Sequence, residues 1–216
     1  MITTTQPPVE RLPINREFER PAGPDALERA AEALRAHGMD ARIVDTGAEA
    51  RDMVLGLIPE GAEVGQGSSV TLEQTGITAE IETSGRYNAV RPRTRAMDRA
   101  TQGLEIRKLS GAPAFFVNSV NALTEDGKLV AVSMTGSQIG PLAYSAQRVI
   151  LVVGAQKVVP DLDTALRRID EYSYPVEDAR MQENGRRSGV NKVLIVNREA
   201  GAGRITVILV RERLGN

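Results

Sequence analysis

The run Val149-Ile150-Leu151-Val152-Val153, followed by Gly154-Ala155-Gln156-Lys157, decides the fold. Five branched apolar residues stand together with no polar alternation, the pattern of a strand covered on both faces. Such strands belong to parallel sheets, and parallel strands are joined by helical crossovers. The residues on either side agree. Downstream, Leu162, Ala165, Leu166 and Ile169 fall at helical spacing behind Asp161, after Pro160. Upstream, Ala114–Asn118 reads as a buried strand and Lys128–Ser133 as another, with a short helical piece at 138–146 limited by Gly140 and Pro141.

The alternation continues towards the N-terminus. Asp25 with Glu28 reads as a capping box opening a helix through Leu27, Ala30, Ala31 and Leu34, with Gly38 as the left-handed terminator. A strand at Arg42–Asp45 and a helix through Ala50, Met53, Val54 and Leu57 follow, the helix stopped by Pro59. Ala62–Gly65 is a short strand and 70–76 a short helix; 77–93 reads as loop with some helix, and 94–109 as one helix. Val193–Val196 and Ile205–Val210 close the chain, with a hairpin as one pairing available to them. The expected architecture is α/β, a single domain at 25–216 with a central, largely parallel sheet flanked by helices on both faces. Residues 1–24, with five of the eleven prolines, read as an irregular lead-in.

Composition narrows the chemistry. The chain has 216 residues, 27 Lys+Arg against 28 Asp+Glu, one His and no Cys or Trp. A chain of this size buries roughly 70% of its unfolded surface and needs no staple. With 3% aromatic residues, the core is aliphatic. The absence of Cys excludes thiolate-held zinc, iron–sulfur clusters and a thiol nucleophile in this chain. A single His excludes multi-His metal sites, so no metal ligands are expected. Balanced charge argues against nucleic-acid binding, and no apolar run approaches a membrane span. Cytoplasmic location is the default expectation.

Polar groups gather after the strands. Gly65-Gln66-Gly67-Ser68-Ser69-Val70-Thr71 joins a strand to a helix. Its glycines, hydroxyls and free N–H groups suit a phosphate or carboxylate; a plain turn capped by Ser69 is the other reading. It lacks the third glycine of a dinucleotide fingerprint and the Gly-Lys-Ser/Thr ending of a P-loop. Glu73 lies one turn further, as a general base or a solvated charge. Asn121, Thr124 and Glu125 follow a buried strand, where open parallel sheets bind ligands, although Glu125-Asp126-Gly127 also reads as a tight turn. Thr135-Gly136-Ser137-Gln138 is a second backbone nest. Lys157 ends the most apolar strand, able to neutralise an anion or to sit exposed. His37 is placed at a helix C-terminus, where the dipole favours a cation. Arg91, Arg93, Arg95, Arg99, Arg107 and Lys108 form either a solvated helix face or a rim attracting an anionic substrate.

Four blocks resemble one family. Gly67–Gly76 (GSSVTLEQTG) is similar to the "SVTLEEIG"-type segment of the LUD (lactate utilisation protein) domain family. Asn121–Val130 (NALTEDGKLV) resembles its "NAITEDGTLV" segment. Gly136, Ala143, Val149–Pro160 and Leu162–Leu166 resemble the next block, and Gly203–Val210 with Leu214-Gly215 the last. The resemblance covers about residues 25–215 in order. It implies a fold similar to the ribose-phosphate isomerase, glucosamine-phosphate deaminase and CoA-transferase group, whose glycine/serine loop takes phosphate or a thioester-linked ligand. It also implies a ligand-site role for Gly67, Ser68, Ser69, Thr71, Glu73, Asn121, Thr124, Glu125 and Gly136. Some relatives carry cysteines late in the chain; 174–191 has none here, so an iron–sulfur centre would reside on a partner oxidoreductase subunit.

Three functions follow. The first is an accessory or ligand-binding subunit in lactate or 2-hydroxy-acid utilisation, taking a small anionic metabolite and working beside a redox partner. The second is a stand-alone enzyme on a sugar phosphate or acyl-CoA, with Glu73 or Glu125 as base or nucleophile and Gly65, Gly67, Ser68, Ser69, Thr71, Asn121, Thr124, Gly136 and Lys157 around the ligand. The third is an anion-binding regulatory module. The Ala/Val-rich faces permit a homo-oligomer.

Overall fold

The computed structural model describes residues 11–216. Among these residues, ten strands fall into two sheets. Six parallel strands, β1 (Asp40–Val44), β2 (Glu63–Gln66), β3 (Asn88–Ala89), β4 (Phe115–Asn118), β7 (Arg148–Gly154) and β10 (Ile205–Val210), lie in the order β1-β10-β7-β4-β2-β3. The remaining four, β5 (Ala122–Thr124), β6 (Leu129–Ser133), β8 (Val158–Val159) and β9 (Lys192–Val196), form a smaller mixed sheet ordered β8-β5-β6-β9.

The apolar run is the centre of the large sheet, with β7 between β4 and β10. Successive side chains on a strand point to opposite faces, and both sets are covered. Val149, Leu151 and Val153 pack with helix α1 (Pro24–Ala36) and with Leu123 and Leu129 of the small sheet. Ile150 and Val152 pack on the other face with α2 (Gly47–Leu57), α3 (Val70–Gln74) and α4 (Ile77–Thr83). Each such side chain, fully buried, contributes about 1.5–3 kcal/mol. Beyond the small sheet, α7 (Leu162–Arg168) adds Ala165 to Ala122, Val130 and Val159. One face of the large sheet is therefore covered by helices, and the other by a helix together with a second sheet.

Several local expectations change. The cap of α1 is Gly23, with Pro24 in the first turn and no side-chain cap bond, so Asp25 sits inside the helix rather than before it. Proline's fixed φ favours that first position. Residues 94–109 are not one helix. α5 (Val90–Arg95) stops, Asp98 accepts from the Ala100 N–H and the Thr101 hydroxyl, and α6 (Gly103–Gly111) begins afresh. Those bonds favour the ionised carboxyl and lower its pKa. β9 and β10 form no hairpin. β10, buried on both faces, inserts between β1 and β7, whereas the half-exposed β9 pairs antiparallel with β6. Residues 11–23 are tied down through Asn15 to Glu171 and through the Ala22 N–H to the Ala155 carbonyl. Pro7 and Pro8 lie outside the described residues.

Candidate functional site

Strands β2, β4 and β7 are neighbours, and parallel direction brings their C-terminal ends to one edge of the sheet. The three following segments, Ser68–Thr71, Asn118–Asn121 and Lys157, line a cavity of about 750 Å3. The loop after β6, with Ser133–Thr135 and Gln138, forms a second wall. Helix α8 (Tyr174–Gln182) and the chain after it supply a third.

Lys157 lies at the centre of the polar contacts. Only 4% of the residue is exposed. Its Nζ donates to Thr71 Oγ1 at 3.0 Å and to Ser119 Oγ at 3.1 Å. Both hydroxyls pass their own protons to backbone carbonyls, Thr71 to Leu214 at 3.2 Å and Ser119 to Val152 at 2.6 Å. No carboxylate pairs with this amine among the described residues. Burial pushes its pKa well below the ordinary lysine value, and the Arg168 cation acts in the same direction.

The surrounding architecture explains why the lysine is there. Gln156 Nε2 donates to the Leu214 carbonyl at 2.8 Å, and the Leu214 N–H donates back to Gln156 Oε1 at 3.2 Å. This amide clasp lays residues 212–216 along the site. Gly215 has φ +73°, and a Cβ there would collide with Thr71 Oγ1 and stand 3.1 Å from Lys157 Nζ. Only glycine tolerates both the backbone angle and the approach. Behind Lys157, Arg168 is fully buried. Its guanidinium donates to the carbonyls of Gln156 and Asn121 and to Ser173 Oγ, and stacks 5.1 Å from the Tyr172 ring centre. Burial lowers its pKa to about 10.

At the edges, Arg99 and Arg186 line the cavity with no ion pair among the described residues, while Arg180 and Arg187 are paired with Glu177 and Asp178. Arg91 holds the glycine loop by donating to the Gly67 carbonyl at 3.0 Å. A Cβ on Gly67 would lie 2.8 Å from Asn118 Nδ2 and 2.9 Å from Gln138 Oε1, so glycine admits those amides to the loop.

The candidates named from the sequence divide. Ser68, Ser69, Thr71, Asn121 and Lys157 come together at the cavity. Ser69 also caps α3, accepting from the Leu72 N–H. Gly67 shapes the loop between them, while Gly65 sits inside β2 against Pro113. Gly136 is a turn glycine, φ +89°, whose neighbours Thr135 and Ser137 reach the cavity wall. Three residues are elsewhere. Glu73 is exposed on α3 outside the lining. Glu125 is held by Arg29 at 2.7 Å. Thr124 is buried in the Glu-Asp-Gly turn, bonded to Asp126 and to the Lys128 N–H. His37 caps the end of α1. Ser119, Arg168 and the 212–216 strap adjoin Lys157 without being among the named candidates; within the strap, Leu214-Gly215 is marked only by the family resemblance. Ser119 follows β4 directly, which is the one available signal; Arg168 sits among Arg167, Asp170 and Glu171 like any surface charge.

Among the described residues no group of three or more His, Asp or Glu is arranged to hold a metal ion, and no helix is long and apolar enough to cross a membrane. No curated protein matches the chain. A solved structure, the crystal structure of a DUF162 family protein from Deinococcus radiodurans, shares the fold with a TM-score of 0.53 at 10% identity, over 92% of this chain and 99% of that one. The family model described as the LUD domain matches residues 27–210, spanning the large sheet from α1 to β10. The chain belongs to the LUD domain family.

Proposed function

We propose that the protein binds a small carboxylate metabolite of the 2-hydroxy-acid or 2-oxo-acid class, lactate being the reference case. It does so in the cavity at the ends of β2, β4 and β7, as the ligand-binding member of a lactate-utilisation system. The observation that carries this reading is Lys157: a buried amino group whose partners, among the described residues, are two hydroxyls and no carboxylate. Burying an amine without a counter-charge is costly, so a ligand carboxylate placed beside it recovers favourable electrostatic energy. Arg99 and Arg186, unpaired among the described residues, add positive potential that attracts an anion. Ser68, Ser69 and Asn121 offer the hydrogen-bonding groups a hydroxy acid needs.

Electron transfer belongs to a partner in this reading. A chain without cysteine has no thiolates for an iron–sulfur cluster. Bound carboxylate raises the pKa of Lys157, so binding draws a proton from the buffer. Calorimetric titration of L-lactate in two buffers of different ionisation enthalpy measures that uptake. Binding with proton uptake, lost in Lys157→Met, is the expected result. Binding that is unchanged in Lys157→Met contradicts the site, and oxidation of lactate by the chain alone with a dye acceptor contradicts the partner.

A further inference from the structure

Lys157 has a property that anion binding does not require. An amino group that only anchors a carboxylate works best charged, in contact with water or an acidic neighbour. Here the surroundings favour the neutral amine, through burial together with a second buried cation, Arg168, and without a carboxylate partner among the described residues. Desolvation and a neighbouring cation are the two arrangements that turn a lysine into a nucleophile. A neutral amine has two protons and one lone pair. The bonds to Thr71 and Ser119 use both protons and leave the lone pair uncommitted. Gly215 keeps side-chain atoms away from the nitrogen.

We propose that Lys157 forms an imine with the carbonyl carbon of a 2-oxo acid bound in the cavity. This rests on the cavity as a carboxylate site and adds a covalent step to it. Lactate sets its carboxylate against the amine, which takes up a proton, whereas a 2-oxo acid sets C2 there, with its carboxylate towards Ser68, Ser69 and Arg99, and the amine stays neutral. The nitrogen lone pair attacks C2, forming the C–N bond, and the carbonyl oxygen takes up a proton as the amine gives one up. The resulting carbinolamine loses its hydroxyl as water, and the C=N bond forms. The balance is amine plus ketone giving imine plus water, with no oxidant or reductant consumed. A 2-hydroxy acid has no carbonyl and stays non-covalent, so the site distinguishes the two oxidation states of one carbon skeleton.

The test is reductive trapping. The full chain is incubated with pyruvate, borohydride is added, and the products are digested and mapped by mass spectrometry. The chain has four lysines, at 108, 128, 157 and 192, so the assignment is clean. The expected result is a reduced pyruvate adduct on Lys157 in at least tenfold excess over the other three. The adduct is absent with L-lactate and absent at that position in Lys157→Arg, which keeps the charge but offers no comparable nucleophile. Thermal stabilisation of the same samples by pyruvate and lactate is read in parallel. Stabilisation by both without a Lys157 adduct, or equal labelling of all four lysines, overturns the imine and leaves the binding site standing. No stabilisation and no adduct overturn both.

Discussion

Lys157 and Thr71 are 86 positions apart, yet Nζ and Oγ1 meet at 3.0 Å in the buried floor of the cavity. Neither position alone marks a site. The pairing exists because β4 alone separates β7 from β2 in a parallel sheet, and because Gly215 leaves room between the strap and both side chains.

Lys157 costs stability, and the cost depends on pH. Its folded pKa is depressed, so between that value and the ordinary one of 10.5 the unfolded chain carries the extra proton. Stability rises with pH across that window, and the full penalty applies below it. Lys157→Met removes the penalty. It should be more stable than the parent at pH 7, on the order of the 1–3 kcal/mol that burying a polar group costs, a melting shift of about 2–12 °C. The gain should shrink towards pH 9.5. Melting curves at the two pH values check this, and a gain that stays constant would exclude a depressed lysine.

Thr71→Val keeps the shape and removes the hydroxyl between Lys157 and the Leu214 carbonyl. Gln156 still donates to that carbonyl. The stability loss should therefore be modest, about 1 kcal/mol, while stabilisation by lactate or pyruvate should need at least tenfold more ligand. Urea unfolding and a ligand titration separate the two effects.

Two glycine replacements should act in opposite directions. At Gly215 an added Cβ meets Thr71 and the backbone is left-handed, so Gly215→Ala should lose about 1–3 kcal/mol and ligand binding together. At Gly56, exposed within α2, nothing lies within 4 Å of an added Cβ. Gly56→Ala should gain about 0.5–1 kcal/mol with binding unchanged. Thermal denaturation of both variants tests the pair.

Glu73→Gln and Glu125→Gln should leave ligand stabilisation intact. Glu73 is exposed outside the cavity, and Glu125 is engaged with a half-exposed Arg29. Water screens that ion pair, so the second change should barely move the melting temperature. Loss of binding in either variant would return the carboxylates to the site.

The large sheet is legible in the sequence because β7 has a single pattern reading, and because Leu162–Ile169, Ala50–Leu57 and Leu27–Leu34 repeat at helical spacing. The small sheet is harder to see. β5 and β8 have three and two residues, too short for periodicity, and they are strands only through their pairing with each other and with β6. The β9–β10 hairpin is a local expectation defeated by longer-range partners on both strands. At the site, residues directly following β2, β4 and β7 can be found from the strand-end rule. Arg168 cannot, since its role comes from what the fold places beside it; Gly215 is marked by the family resemblance, but its approach to Thr71 and Lys157 is visible only in the fold. Glu73 and Glu125 look equivalent to Lys157 as charges near strand ends, and only their exposure and partners separate them.

The most direct measurement is the melting temperature of the parent chain and Lys157→Met with and without L-lactate and pyruvate. Ligand at about 100 times its dissociation constant adds roughly 2.7 kcal/mol, a shift of about 5–10 °C for a chain of this length. The account predicts that shift in the parent and none in Lys157→Met. Equal shifts in both proteins, or no shift in the parent with either ligand, would contradict it.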